Sequence, residues 1–156
     1  MDMVTFLIDV EMFFRIVLAC LLGGLIGWER ERHRSSNSAG NRNIVSAGIR
    51  TYGAISLGSC AFGILSYHLP AGDPTRIAAQ VVTGIGFLGG GIIFRQGDYI
   101  TGLTTAATLW ATAAVGLAVS FGLYFVSTFT AILIYLLLYL PRMGWWKKIS
   151  AKYKND

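Results

Sequence analysis

The sequence predicts an all-α integral membrane protein with five transmembrane helices, and three observations lead to this fold class. The chain is 54% hydrophobic and only 13% charged, whereas a soluble domain carries about 25% charged residues. The charged residues are bunched, so several stretches contain none. The longest uncharged stretch, 99–141, would form a helix about 64 Å long, twice the ~30 Å hydrocarbon core of a bilayer. We therefore expect this stretch to cross the lipid bilayer twice.

Three further crossings are predicted from shorter uncharged runs, at 16–28 extended outward past Arg15, at 51–67 and at 77–94. Several of these runs are shorter than the ~20 residues of a spanning helix. Arginines at their ends can lengthen them, because the aliphatic stem of arginine lies along hydrocarbon while its guanidinium reaches water.

The long uncharged run is expected to turn near Ser120, Phe121 and Gly122. This turn separates a fourth helix at 99–119 from a fifth at 123–140. Because the number of crossings is odd, the two termini lie on opposite sides of the membrane.

The distribution of basic residues predicts the orientation. If the N-terminus lies outside, eleven of the 13 Lys and Arg residues fall on the inner side, as the positive-inside rule requires. We therefore predict an outer N-terminus and a cytoplasmic C-terminus, with a transmembrane domain at 1–141 and a short basic tail at 142–156. The net charge of +5 is explained by a basic rim against anionic lipid. No nucleic-acid partner is expected.

A weak internal repeat relates the two halves of the chain. LLGGLIGWE, which starts at Leu21, matches FLGGGIIFR, which starts at Phe87. AGIRTYGA, from Ala47, likewise matches TGLTTAAT, from Thr101. These matches predict a tandem repeat of two helical hairpins, helices 1–2 and 3–4, followed by a fifth helix. Chance similarity between Gly- and Ala-rich membrane segments is the alternative.

The glycine-rich stretch GIGFLGGGIIF begins at Gly84, and its first six letters match the dinucleotide-binding pattern G-x-G-x-x-G. That pattern needs a preceding strand and an acidic residue about 20 positions later, whereas here the run is helical and that position is Thr104. Small residues spaced by four instead allow membrane helices to approach closely. Two such faces are predicted, formed by Ala19, Gly23 and Gly27 and by Ala79, Thr83, Gly86 and Gly90. We expect them to pack against each other or against a second copy, which would make a homo-oligomer.

Helix four carries a stripe of hydroxyl groups. Its members, which recur at spacings of three and four, are Thr101, Thr105, Thr108 and Thr112. Thr104 lies beside this stripe. Threonine hydroxyls in lipid usually bond to carbonyls of their own helix or to a neighbouring helix, and a polar binding groove is the alternative. Trp110 lies within the helix and away from the membrane interface, which favours a packing or contact role.

Charged residues at the membrane boundary are the remaining candidates for function. Asp73 and Pro74 are typical of a helix start, with the aspartate as N-cap and the proline at the first helical position. Arg76 and Gln80 follow on the same helix.

At the other side of the membrane, Glu29 is expected to end the first helix and Arg50 to begin the second. The hairpin would bring them close enough to form an ion pair. We favour a structural role for this pair, with a functional role as the alternative.

No catalytic arrangement is recognised. His33 and His68 fall on opposite sides of the membrane, and neither Cys20 nor Cys60 has a nearby base. We therefore expect no enzymatic activity, no metal site and no cofactor.

Four stretches resemble the membrane domain of the MgtC/SapB family: GGLIGWERE, AGIRTYG, DPTRIAAQVVTGIGFLGGGIIF and GLTTAATLWATAAVGLA. The similarity extends from about Glu11 to Leu140. It implies a multi-pass protein of the bacterial inner (cytoplasmic) membrane that takes part in adaptation to low magnesium and, in pathogens, in survival inside macrophages. The family's best-described members resemble regulators of other membrane proteins, notably the F-type ATP synthase.

The sequence departs from the family in two places. Many members continue into a soluble ACT-like domain, which is not expected after the basic tail of this chain. Some virulence-associated members carry Asn and Cys where this sequence has Thr104 and Ala111, which weakens the transfer of their inhibitory role.

Two functions remain open. One is regulation of a membrane-protein partner through the glycine faces, the threonine stripe and Trp110. The other is an oligomeric ion or small-solute conduit, including magnesium transport, lined by Asp73, Arg76 and threonines. Because we expect no Asp or Glu in a helix interior, and a magnesium path needs oxygen ligands, the regulator is favoured.

Overall fold

The structure, a computed structural model, describes residues 3–37, 47–68, 73, 75–97 and 99–144. Pro74 and most of the tail predicted at 142–156 lie outside these residues. Within them the chain forms five α-helices, a short antiparallel hairpin and a final 3-10 turn. The helices are α1 (Met3–Asn37), α2 (Ile49–His68), α3 (Arg76–Ile92), α4 (Leu103–Ser120) and α5 (Tyr124–Tyr139). The other elements are β1 (Phe94–Gln96), β2 (Tyr99–Thr101) and the turn Leu140–Arg142.

The all-α architecture and the division of the long uncharged run are confirmed. α4 ends at Ser120 and α5 begins at Tyr124. The turn between them needs one residue with positive φ, and Gly122 supplies it at +73° because glycine has no Cβ to clash there. Arg15 of α1 donates to the carbonyl of Ser120 and to the hydroxyl of Tyr124, and so fastens this turn to the first helix.

α1 and the segment before α4 differ from expectation. α1 extends well beyond both ends of the uncharged run, because Glu, Arg and Met favour helix as strongly as leucine does. Residues 99–101, expected in helix four, instead form β2, in which Thr101 pairs with Phe94 of β1. Aromatic and β-branched residues favour strands, and Gly97 adopts the positive φ of +61° that this tight hairpin needs.

The surface of the helices is that of a membrane protein. Large apolar side chains are exposed on all five helices, Phe87 and Phe125 among them at 85% and 83%, and extensive apolar surface of this kind is rare on soluble monomers. Two segments are long and apolar enough to cross a membrane, Leu103–Ser120 and Tyr124–Arg142, while α3 is apolar but shorter. That all five helices cross, with the N-terminus outside, stays a prediction, as does the tandem repeat.

α2 lies at the centre of the bundle, between α1 and α4. α5 packs on α4 and α1, and α3 packs mainly on α4. Two groups of buried side chains fill the space between the helices. One surrounds Tyr52 and Leu109, and the other surrounds Cys60 and Val119.

Small residues bring the three inner helices into backbone contact. A Cβ on Gly23 of α1 would lie 2.6 Å from the carbonyl oxygen of Tyr52, and one on Gly116 of α4 would overlap the carbonyl oxygen of Ser56. Gly27 approaches Gly48 and Ile49 in the same way. The face predicted on α1 is therefore a close-packing face, but its partner is α2.

We expect Gly116→Ala to destabilise the protein by about 1–3 kcal/mol or more, because its methyl group must displace the backbone of α2. Thermal unfolding in detergent, followed by circular dichroism, measures the change. Gly58→Ala is the matched control, since nothing lies within 4 Å of a Cβ there. Equal unfolding temperatures for the two variants would contradict the close contact between α2 and α4.

Candidate functional site

α3 is the least covered helix around the α2–α4 core. Only Ala78, Ile85 and Gly89 of this helix are buried. Gly89 rests on α4, where a Cβ would lie 3.5 Å from the Cβ of Ala106. Beyond these three residues α3 is exposed apart from Ile77, Val81 and Ile92, which are partly buried, so its two open sides are available to another molecule.

One open side of α3 carries the small face predicted from the sequence. Ala79, Thr83, Gly86 and Gly90 are all exposed. The Thr83 hydroxyl donates to the carbonyl of Ala79 at 3.3 Å, which leaves the face without a free donor. No atom lies within 4 Å of a Cβ built on Gly86 or Gly90.

The predicted contact between the small faces of α3 and α1 does not occur within one chain. Ala19, Gly23 and Gly27 are buried, and the two glycines lie against α2. α2 therefore occupies the position that α3 was expected to take. Packing of the α3 face against a second copy stays a prediction.

The other open side of α3 borders a groove that sequence reasoning missed. This groove lies between α2 and α3 and encloses about 580 Å³. Gln80 lies in its wall, and Gly58 and Gly84 leave it open because nothing stands within 4 Å of a Cβ on either. A second recess of about 550 Å³ continues it past Thr51, Ile55 and Leu88. The available signal was the spacing of four between Gln80, Gly84 and Leu88, which places them along one side of a helix.

Asp73 precedes α3, but the helix begins later than expected, at Arg76 with Thr75 as its N-cap. Its Oδ1 accepts hydrogen bonds from the backbone amide and the hydroxyl of Thr75, both at 2.8 Å. These two bonds hold the pKa of the Asp73 carboxyl below its ordinary value, the backbone bond more than the hydroxyl bond. Arg76, the first residue of α3, is exposed.

The threonine stripe follows the first of its two alternatives. Thr112 Oγ1 donates to the carbonyl of Thr108 at 2.7 Å, and Thr108 Oγ1 lies 2.9 Å from the carbonyl of Thr104. Thr108 Oγ1 also lies 2.6 Å from the Tyr52 hydroxyl of α2. These groups bond to their own helix and to a neighbour, so they line no binding groove.

The side chains of the other members of the stripe have different surroundings. Thr101 lies in β2, and the Thr104 side chain is exposed. Thr105 accepts a hydrogen bond from the guanidinium of Arg30 on α1. Trp110 is 53% exposed, which makes it a surface residue of the described bundle.

Glu29 forms a buried ion pair, but with a different partner from the one expected. Its side chain is 1% exposed, and its Oε1 lies 3.1 Å from Nη1 of Arg142. Arg142 also lies over the ring of Tyr139, 5.7 Å from its centroid. Arg50 is exposed and lines a recess between α1 and α2 instead. Sequence reasoning missed Arg142, because the turn that ends α5 reaches α1 only through tertiary packing.

The position of Glu29 also shows that the prediction of no Asp or Glu in a helix interior was wrong. α1 continues to Asn37, so Glu29 lies inside the helix and not at its end. Its neighbour Glu31 caps the next helix, accepting a hydrogen bond from the backbone amide of Ile49 at 3.3 Å. Among the described residues, no group of three or more His, Cys, Asp or Glu could hold a metal ion.

Comparison with known proteins identifies the family of this bundle. The MgtC family model matches residues 16–143, which include the whole packed core and the Glu29–Arg142 pair. The chain belongs to the MgtC family. None of the solved structures matches it.

Three similar proteins illustrate the range of the MgtC family. Protein MgtC of Brucella abortus (strain 2308) is 51% identical over 108 residues, which cover 67% of this chain and 40% of that protein. Protein MgtC of Salmonella typhimurium (strain LT2) is 41% identical over 107 residues, covering 69% and 42%. The putative magnesium transporter YhiD of Escherichia coli (strain K12) is 38% identical over 137 residues, covering 82% and 59%. The matched part of this chain thus corresponds to about two fifths of the two MgtC proteins and three fifths of YhiD.

We expect Arg142→Gln to destabilise the protein by about 3–5 kcal/mol, because it leaves the buried Glu29 carboxylate without a counter-charge. Glu29→Gln should cost less, since Arg142 is 25% exposed and can reach water. The double variant Glu29→Gln/Arg142→Gln should recover part of the loss of Arg142→Gln. Unfolding temperatures of the three variants check this order, and a double variant less stable than Arg142→Gln would contradict it.

Proposed function

We propose that this chain is a multi-pass protein of the bacterial inner membrane that regulates another membrane protein and has no enzymatic activity of its own. The observation that carries this proposal is the small face of α3, Ala79, Thr83, Gly86 and Gly90, which is exposed and has no atom within 4 Å of a Cβ on either glycine. In lipid, faces of this kind allow helices of two proteins to approach closely and pack.

The inner helices support binding over conduction. α1, α2 and α4 are in backbone contact at Gly23 and Gly116, which leaves no space for an ion between them. The buried hydroxyls of Thr112 and Ser120 donate to carbonyls of α4. A hydroxyl used in this way does not replace the hydration shell of a passing ion.

The relatives suggest the physiological setting. YhiD is named a putative magnesium transporter, and the family resemblance points to adaptation to low magnesium and to stress inside host cells. We propose that the chain acts in this setting by docking α3 against a transmembrane helix of its target. The membrane part of an F-type ATP synthase is the candidate target that the resemblance suggests.

An oligomeric ion or small-solute conduit is the second candidate, and one observation favours it. The Oε1 atom of Glu29 is buried and has no aligned hydrogen bond, although it pairs with Arg142. A carboxylate in the interior of a membrane helix is often part of an ion or proton path. Several copies of the chain would be needed to form the rest of the path.

Purified protein in liposomes should give no magnesium influx above that of empty vesicles, because the closed α1–α2–α4 core offers no path. A magnesium-sensitive dye inside the vesicles measures the influx. Saturable influx that is abolished by Glu29→Gln or Asp73→Ala would replace the regulator with the conduit.

Gly86→Leu and Gly90→Leu should leave the unfolding temperature nearly unchanged, because both side chains enter open space, and should weaken docking. A photocrosslinking residue in place of Phe87, next to the face, reports docking in native membranes. The expected product contains a membrane subunit of the ATP synthase, and its yield should fall about tenfold, or about 1.4 kcal/mol, in Gly86→Leu.

Ala114→Leu is the control for this experiment, since it places the same leucine side chain at an exposed position of α4. It should leave the yield unchanged. An equal yield in Gly86→Leu and Ala114→Leu, or a crosslink only to a second copy, would contradict docking of a different protein on this face.

A further inference from the structure

The groove between α2 and α3 has the length of one lipid acyl chain. Along α3 it extends from Ile77 to Leu88, which is about 16 Å at the helical rise of about 1.5 Å per residue. One leaflet contributes about half of the ~30 Å hydrocarbon core. The volume of about 580 Å³ falls within the range of roughly 300–1,000 Å³ that is typical of small-molecule sites.

The walls of the groove are suited to a flexible hydrocarbon chain. They are mostly apolar and include Phe62 of α2 and Ile77 and Val81 of α3. Gly58 and Gly84 leave open space where side chains would otherwise stand. The opening lies between two helices of the same chain, whereas Ala79, Thr83 and Gly86 of the small face do not line it.

One polar side chain, Gln80, lines the groove near the end where α3 begins, and the exposed Arg76 lies one helical turn before it. This spacing places the two side chains on neighbouring parts of the helix surface. The nearest acid in the described chain before α3, Asp73, already accepts two hydrogen bonds from Thr75. The Arg76 side chain forms no ion pair with the described residues, so its charge is available to an external anion.

We propose that the α2–α3 groove binds one phospholipid, with an acyl chain lying across Gly84 and Gly58 and the phosphate at Arg76. The guanidinium of arginine binds phosphate through paired hydrogen bonds. The Gln80 amide lies where the ester carbonyl of the lipid would follow the phosphate, and so gains an acceptor. An apolar helix in the groove would instead bury this amide without a partner, which is costly.

This site lies on the opposite side of α3 from the small face of the proposed function. The two proposals therefore depend on different glycines, Gly84 here and Gly86 there. Either can fail while the other holds.

Native mass spectrometry of the full chain in detergent tests the proposal, with phosphatidylglycerol as the phospholipid and diacylglycerol of the same acyl chains as the probe without phosphate. The wild type should retain one phosphatidylglycerol and bind diacylglycerol more weakly. Gly84→Phe fills the groove and should weaken binding of phosphatidylglycerol by about tenfold. Gly86→Phe adds the same ring on the other side of α3, also in open space, and should leave binding unchanged.

Two further variants complete the test. Gly58→Leu fills the groove from α2 and should also weaken binding of phosphatidylglycerol. It replaces Gly84→Phe in the test if that variant lowers the unfolding temperature. Arg76→Gln should weaken binding of phosphatidylglycerol by about fivefold, the effect of about 1 kcal/mol per arginine at a lipid headgroup, without weakening that of diacylglycerol.

Retention of no phosphatidylglycerol by the wild type would overturn the proposal. So would equal binding by Gly84→Phe, Gly58→Leu and Gly86→Phe. An unchanged preference for phosphatidylglycerol in Arg76→Gln would overturn the assignment of the phosphate to this residue.

Discussion

The backbone contact of α1, α2 and α4 is the constraint on which the rest of the structure depends. Gly23 and Gly116 approach α2 from two sides, and no side chain separates them from the carbonyls of Tyr52 and Ser56. In lipid there is little hydrophobic gain when two apolar helices associate, so close van der Waals contact must supply the stability. Each outer helix packs on two helices of this three-helix slab, α3 on α4 and α2, and α5 on α4 and α1.

The exposed position of α3 follows from this slab. The small face of α1 lies on α2, and α3 packs mainly on α4, with its buried residues Ala78, Ile85 and Gly89 in one line along the helix. The two sides of that line then have different chemistry. One side carries small residues, which suits another helix. The other is recessed, with Arg76 and Gln80 near its end, which suits a lipid.

Apolar runs and glycine positions predicted much of this fold. The uncharged stretches located α2 to α5 within a few residues, and the turn at Gly122 was expected where it lies. The full length of α1 was missed because the uncharged run reports contact with lipid, whereas the helix continues through Glu29 and Arg30 into polar sequence. The hairpin at Gly97 was missed because its strands of three residues are too short to show alternation.

The candidate sites were harder to predict than the helices. Spacing alone identified the small faces on α1 and α3 but could not say which helix each would meet. The sequence made Arg50 the natural partner of Glu29, since it begins the next helix, and only the packing of α5 against α1 brings Arg142 there instead. The groove between α2 and α3 depends on how two helices diverge, which no single-helix pattern contains.

The Glu29–Arg142 pair also has a consequence in time. The ribosome makes Glu29 in the first helix, whereas Arg142 follows the fifth, so the acid leaves the exit tunnel long before its counter-charge exists. Contacts between such distant parts of a chain form late, because the loop between them must close first. The ion pair therefore closes only after the fifth helix has been made, and it distinguishes a finished bundle from every shorter intermediate of synthesis.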